Sequence, residues 1–199
     1  MDLQFRSKRA LLCAVVLLFV FSAAAAAEPQ SFDNPTYDLG ASIGLWASGD
    51  IYFGLPDDYY EKDGSFLFRA FIDGYLMPKF ATGVYINLSK VTISDFDEEG
   101  TMFELGVSMK PRFMLSPEAA IKPGLNLGYR TTDADSDAAE SEGLGINLSI
   151  ELQYQPPSMK ENGLYLFLDT GFLSQPTGGN DDQDINFAPI FYIAAGLGI

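Results

Sequence analysis

From Gly143 to Tyr154 the chain reads G-L-G-I-N-L-S-I-E-L-Q-Y, and every second residue is large and apolar. Leu144, Ile146, Leu148, Ile150, Leu152 and Tyr154 fall on one side of an extended chain, and Gly145, Asn147, Ser149, Glu151 and Gln153 on the other. Successive side chains of a strand point to opposite faces, so this period of two dictates a β-strand with two unlike surroundings. A strand at the surface of a water-soluble protein would carry long charged groups on its polar face. Here that face is small or neutral apart from one carboxylate, and it suits a crowded interior. The apolar face is continuous and ends in a Tyr, as a lipid-facing surface does at a membrane interface. The stretch reads as a transmembrane strand.

The start of the chain fits that reading. Arg6, Lys8 and Arg9 precede an apolar run from Ala10 to Phe21, and alanines follow to Ala27. This is the order of a secretory signal peptide, with cleavage expected after Ala27. Residues 1–27 are then the signal and 28–199 a single barrel domain. The apolar run is shorter than the roughly 20 residues a membrane helix needs. Cys13, the one cysteine, lies inside the signal, which leaves the remaining chain without a disulfide or a thiolate metal site. Residues 28–199 hold 9 basic and 26 acidic residues, a net charge of −17. So acidic a chain is a poor partner for nucleic acid. No later apolar stretch is long enough for a membrane helix, so a span must be built from strands.

Seven more segments repeat the alternation, giving eight strands in all. In order they are Tyr37–Ala47, Phe66–Leu76, Phe80–Ser89, Met102–Phe113, Ala120–Arg130, Gly143–Tyr154, Gly163–Phe172 and Phe187–Ile199. About ten residues is the length a tilted strand needs to cross a bilayer. An even number brings both chain ends to one side, as closure of an up-and-down barrel requires. The connections alternate too. Short links follow the second, fourth and sixth strands, and longer ones follow the first, third, fifth and seventh. Outer-membrane barrels keep short turns in the periplasm and long loops outside. Outward aromatics sort by end: Tyr37, Phe80, Phe113 and Tyr154 toward the turns, and Phe66, Phe68, Phe103, Tyr129, Phe172, Phe187 and Phe191 toward the loops. Two such girdles around an aliphatic band belong to a lipid-facing surface.

With that architecture the chain resembles the small eight-stranded outer-membrane barrels of the OmpX and OmpA-barrel type. The fold class is all-β, an eight-stranded antiparallel up-and-down transmembrane β-barrel. The last strand, F-Y-I-A-A-G-L-G-I, resembles the C-terminal signal read by the barrel-insertion machinery, with Ile199 where the family usually ends in an aromatic. The resemblance implies an outer-membrane location with long loops extracellular and both mature termini periplasmic. It also implies contact with membrane lipid and lipopolysaccharide. A monomer is favoured. Pro111 and Pro123 fall inside predicted strands, where each removes a ladder donor.

Eight strands enclose a space that side chains can just fill. The inward phase collects Asp38, Asp73, Glu104, Glu151 and Asp169 against Arg69, Lys110, Arg112, Lys122 and Arg130. By strand direction Arg69, Glu104, Arg130 and Asp169 lie toward the loops and the other six toward the turns, each layer neutral. Buried charges persist only when paired, so a plugged, salt-bridged interior is expected, with Glu104 meeting Arg130.

The chain has no histidine, the usual general base in barrel hydrolases. A non-enzymatic barrel is therefore expected, in a structural or surface-interaction role. The alternative is a narrow OmpW-like channel for small solutes. The loops carry 17 of the 26 carboxylates of residues 28–199. Among them Asp133, Asp135 and Asp137 are spaced like part of a calcium loop, so calcium or magnesium is the candidate cation there.

Overall fold

The computed structural model describes residues 31–53, 59–77, 79–93, 98–134, 140–180 and 184–199. The expected signal peptide lies outside them. Eleven strands are formed: β1 Tyr37–Trp46, β2 Gly49–Phe53, β3 Tyr59–Lys62, β4 Ser65–Met77, β5 Phe80–Ile93, β6 Glu98–Pro111, β7 Phe113–Ser116, β8 Ala119–Ala134, β9 Ser141–Tyr154, β10 Tyr165–Gly179 and β11 Ile185–Gly198.

Eight of these make the wall of a closed antiparallel barrel. The order around it is β1, β4, β5, β6 (continued by β7), β8, β9, β10 and β11. Closure is made by β11 returning to β1, from Gly40 opposite Gly198 to Trp46 opposite Tyr192. Following the register from Asp38 through Asp73, Gly83, Ser108, Asn126, Asn147, Leu173 and Ile190 leads to the level just past Trp46, the end of β1, about ten residues beyond Asp38. That stagger corresponds to a strand tilt of roughly 40°. The described chain ends both lie at the end of the barrel that carries the short turns.

Alternation produces an inside-out protein. Along β9, Leu148 is 58% exposed while its neighbour Asn147 is fully buried. The same contrast recurs on β1 and β6, where Ile43, Leu45, Leu105 and Val107 face out and Ser42, Glu104 and Ser108 face in. On the outer face Phe172 and Phe191 meet edge to face, with ring centroids 5.8 Å apart.

Three features differ from the sequence reading. The strands are longer than expected, β4 to β11 apart from β7 running 13 to 16 residues. The loop-end extension of β8, Thr131–Ala134, carries no apolar alternation. Secondly, part of the first long loop is a hairpin, β2 with β3. It continues the wall, since β2 pairs with β11 and β3 reaches β5. Thirdly, Phe187 faces the interior and is not part of the loop-end girdle. The register shifts between Leu173 and Gln175, whose partners are Ile190 and Phe187. A bulge of this kind reverses the face of everything beyond it. Phe187 and Ile190 therefore both point inward, an odd number of residues apart.

Registers on either side also account for the two prolines. Met109 opposite Leu125 and Phe113 opposite Ile121 place Pro111 across from Pro123. Both lack an N–H, and the ladder between β6 and β8 breaks there and resumes as β7. Pairing two prolines on one seam confines the loss to a single gap. At the β9–β10 link, a 3-10 turn over Pro157–Asn162 ends at Gly163, whose φ of 68° a side chain would resist.

Candidate functional site

The lumen is the natural place to look for a path or a reaction centre, and side chains fill it. Arg69 projects from β4 and donates from Nη1 to Asp169 on β10 at 2.6 Å and to the Tyr192 hydroxyl at 2.9 Å. Its Nε donates to Asn87 Oδ1 at 2.8 Å. Across the barrel Arg130 donates twice to Glu104 Oε2, from Nε at 2.7 Å and from Nη2 at 2.5 Å. The other oxygen of Glu104 accepts from Asn147 at 2.6 Å and from the Tyr85 hydroxyl. Gly128 makes room for Tyr85, because a Cβ there would lie 2.7 Å from the tyrosine oxygen.

A second group sits toward the turn end. Lys122 lies 2.6 Å from Asp38, 3.2 Å from Asp73 and 3.7 Å from Glu151. Lys110 lies 2.8 Å from Asp73 and 3.6 Å from Glu151. Ser108 and Tyr75 add hydroxyl donors to Asp73 and Asp38. Arg112 does not join this group as an ion pair among the described residues. It donates instead to Gln153 Oε1 at 3.0 Å and to the Phe32 carbonyl at 2.6 Å. Gln153 in turn donates to Glu151 at 2.8 Å, so an amide relays the contact between guanidinium and carboxylate. All ten ionisable residues face inward and are nine-tenths or more buried. Nine of them form ion pairs with one another.

Two apolar clusters complete the filling. Toward the loop end Trp46, Ile51, Leu67, Val91, Met102 and Leu173 pack with Ile185, Phe187, Ile190 and Tyr192. Toward the turn end Phe32 folds back from before β1 and packs with Phe71, Tyr85, Ala120, Tyr165 and Phe167. The Phe32 ring stands 4.6 Å from the Arg112 guanidinium carbon and 5.8 Å from the Tyr165 ring. Sequence reasoning missed this apolar filling and the neutral partners Tyr85, Asn87, Tyr192, Asn147 and Gln153. Their inward phase was readable; their hydrogen-bond partners depend on cross-barrel distances that strand spacing alone does not give.

Lys62, on the hairpin beyond the wall's apolar band, is fully buried with its Nζ 3.5 Å from the Trp46 ring centroid. It donates to the Asp63 carbonyl. Burial pushes its pKa down to about 7, against a smaller opposing pull from Asp63. An unfolded lysine holds its proton to about pH 10. Between about pH 7 and pH 10 the unfolded chain therefore binds more protons than the folded one, and stability rises with pH. Urea unfolding in detergent micelles from pH 6.5 to 10 should show that rise, and Lys62→Met should flatten it. An equal slope in both proteins would contradict this assignment.

Of the loop aspartates, Asp133 is on β8, and Asp135 and Asp137 lie outside the described residues. Among the described residues no three acidic side chains converge on a metal position.

No protein-family profile matches the chain, and no curated protein matches it. Solved structures do. The chain is similar to Neisserial surface protein A at 11% identity, over 83% of this chain and 97% of that one, with a TM-score of 0.62. It is similar to the outer membrane protein OprG from Pseudomonas aeruginosa at 10% identity, over 83% and 95%, with a TM-score of 0.56. At such identities the likeness is one of fold. The chain has the fold of the small eight-stranded outer-membrane β-barrels.

Proposed function

We propose that this chain is an integral protein of the bacterial outer membrane, non-enzymatic and closed to solutes, that works through its exterior. Its long loops, with their excess of carboxylates, would face outward and its termini the periplasm. The apolar outer band would contact membrane lipid, and the loop-end rim would meet lipopolysaccharide or other surface partners. Delivery would rely on the barrel-insertion machinery. The observation that carries this reading is the occupied lumen, where ion pairs and two apolar clusters leave, among the described residues, no run of unpaired charges to guide a solute. The non-enzymatic part is supported by the composition. There is no histidine, and Asp38, Asp73, Glu104, Glu151 and Asp169 all have cationic partners within 4 Å.

A narrow channel for small solutes is the competing reading. Planar-bilayer recording of the purified protein separates the two. The closed barrel predicts a silent trace beyond the membrane baseline, and steady single-channel steps would favour the channel.

A further inference from the structure

The chain ahead of β1 lies outside the wall, yet part of it sits inside the barrel. Phe32 and Pro35 are buried, while Ser31, Asp33, Asn34 and Thr36 around them are exposed. The Asn34 N–H donates to the Ser31 carbonyl at 3.2 Å, a tight turn with Phe32 at its bend. From that residue a column of rings runs into the lumen. Phe32 and Tyr165 have centroids 5.8 Å apart, Tyr165 and Phe167 6.1 Å, and Phe167 and Phe71 5.5 Å. Lys110 and Lys122 flank the far end of the column, with Nζ 4.1 and 5.5 Å from the Phe71 ring centre. Tyr165 is the first residue of β10, at the end of the barrel that carries the short turns. Phe32 is therefore the outermost ring, the one nearest that mouth.

Arg112 grips Phe32 in two ways. Its Nη2 donates to the Phe32 carbonyl at 2.6 Å, and its guanidinium carbon lies 4.6 Å from the ring centre. A hydrogen bond from a charged donor is stronger than a neutral one, and a desolvated cation is drawn to an aromatic face. Its Nε donates to Gln153 and its Nη1 to the Met114 sulfur. Among the described residues Arg112 is the inward base outside the ion pairs, because its charge is directed at the segment before β1. That segment is joined to the barrel differently from the wall. The ladders begin at Tyr37, opposite Gly74, and just ahead of them the Thr36 carbonyl accepts from the Tyr75 N–H at 3.0 Å. Upstream of that bond the hold on the segment comes from the packing of Phe32 and from Arg112. Elements with few backbone hydrogen bonds to the rest of a fold open at a small fraction of the global unfolding free energy. We propose that residues 31–36 are a stopper for the turn-end mouth, with Phe32 as its peg and Arg112 as its latch, and that it leaves while the wall stays paired. Its departure admits water to the turn-end half of the lumen, and the loop-end apolar cluster keeps the other half shut. This rests on the closed-lumen reading and names the element that closes one end.

Cysteine labelling of the folded, detergent-solubilised barrel with a hydrophilic maleimide tests this. Ala120→Cys reports on the turn end, since Ala120 is fully buried in the cluster that holds Phe32. Ser89→Cys is the loop-end control, 1% exposed and level with Leu67 and Met102 of the other cluster. Heat-dependent gel mobility checks that each variant folds. Phe32→Ala should speed labelling of Ala120→Cys at least tenfold and leave Ser89→Cys slow. Phe32→Leu, which keeps an apolar peg, should leave both slow. Arg112→Met should act as Phe32→Ala does; if it does not fold, the Phe32 variants decide alone. Unchanged labelling of Ala120→Cys in folded Phe32→Ala would overturn the stopper and leave the closed lumen standing. Faster labelling at both positions would also overturn it, since the ring would then support the whole wall. Fast labelling of Ala120→Cys with Phe32 in place would overturn the stopper together with the closed lumen.

Discussion

Glu104→Ala is expected to lower barrel stability by about 3–5 kcal/mol, the cost of stranding one partner of a buried ion pair. Glu104 is fully buried and accepts from Arg130, Asn147 and Tyr85. Its removal leaves the Arg130 guanidinium charged, far from water and without a counter-ion. Arg130→Met should cost a similar amount, since the carboxylate is then the stranded partner. Glu104→Leu with Arg130→Met should recover most of the loss, because a well-packed apolar pair can replace a buried salt bridge with little net change. Urea unfolding in detergent micelles, followed by circular dichroism, gives the four corners of the cycle. A double variant no more stable than either single one would mean that the charges do more than neutralise each other.

Trp46→Ala is the second large effect, at about 3–5 kcal/mol for removing a buried aromatic and leaving a cavity. Trp46 is 2% exposed, belongs to the loop-end apolar cluster and lies under the Lys62 ammonium. The substitution removes packing and also the ring face against which the Lys62 ammonium rests. Measured below pH 7, where Lys62 keeps its proton, the loss should therefore shrink in a Lys62→Met background, which has no ammonium to rest on the ring. The same unfolding assay reads both. Equal losses in the two backgrounds would show that the ring acts by packing alone.

How much of this was legible in the sequence depends on which physical rule governed each part. Alternation fixes which face a residue takes so long as the ladder is unbroken. The inward phases of Asp38, Arg69, Glu104, Lys122, Arg130 and Asp169 were therefore readable from spacing alone. Phe187 falls on the wrong face because one extra residue on β11 between Phe187 and Ile190 reverses the alternation there, in the segment that holds Pro189. The β2–β3 hairpin does not show in the sequence because its strands, Gly49–Phe53 and Tyr59–Lys62, are too short for a period of two to stand out. Lys62 falls in that long connection, and nothing in its spacing marks it as buried. Pro111 and Pro123 each cost their strands a ladder donor, and only the register brings them face to face. Charge counting puts Arg112 in a neutral turn-end layer, whereas among the described residues it donates to the Gln153 amide, the Phe32 carbonyl and the Met114 sulfur. Charge balance identifies which groups need partners, but cross-barrel geometry chooses them.

A sealed lumen is tested most directly by thiol labelling, which reads water access residue by residue where a silent bilayer recording could also follow from failed insertion. Cys13 lies in the segment expected to be cleaved, so single engineered cysteines would have no background. Ser42 and Ser149, mid-strand on β1 and β9, are 3% and 7% exposed and face inward. Asp184, at the rim, is exposed and serves as the control. With a membrane-impermeant maleimide added to both sides of proteoliposomes, Asp184→Cys should label quickly. Ser42→Cys and Ser149→Cys should label only after unfolding. Rapid modification of either inward position in the folded barrel would show that water passes through it, and would contradict a closed interior.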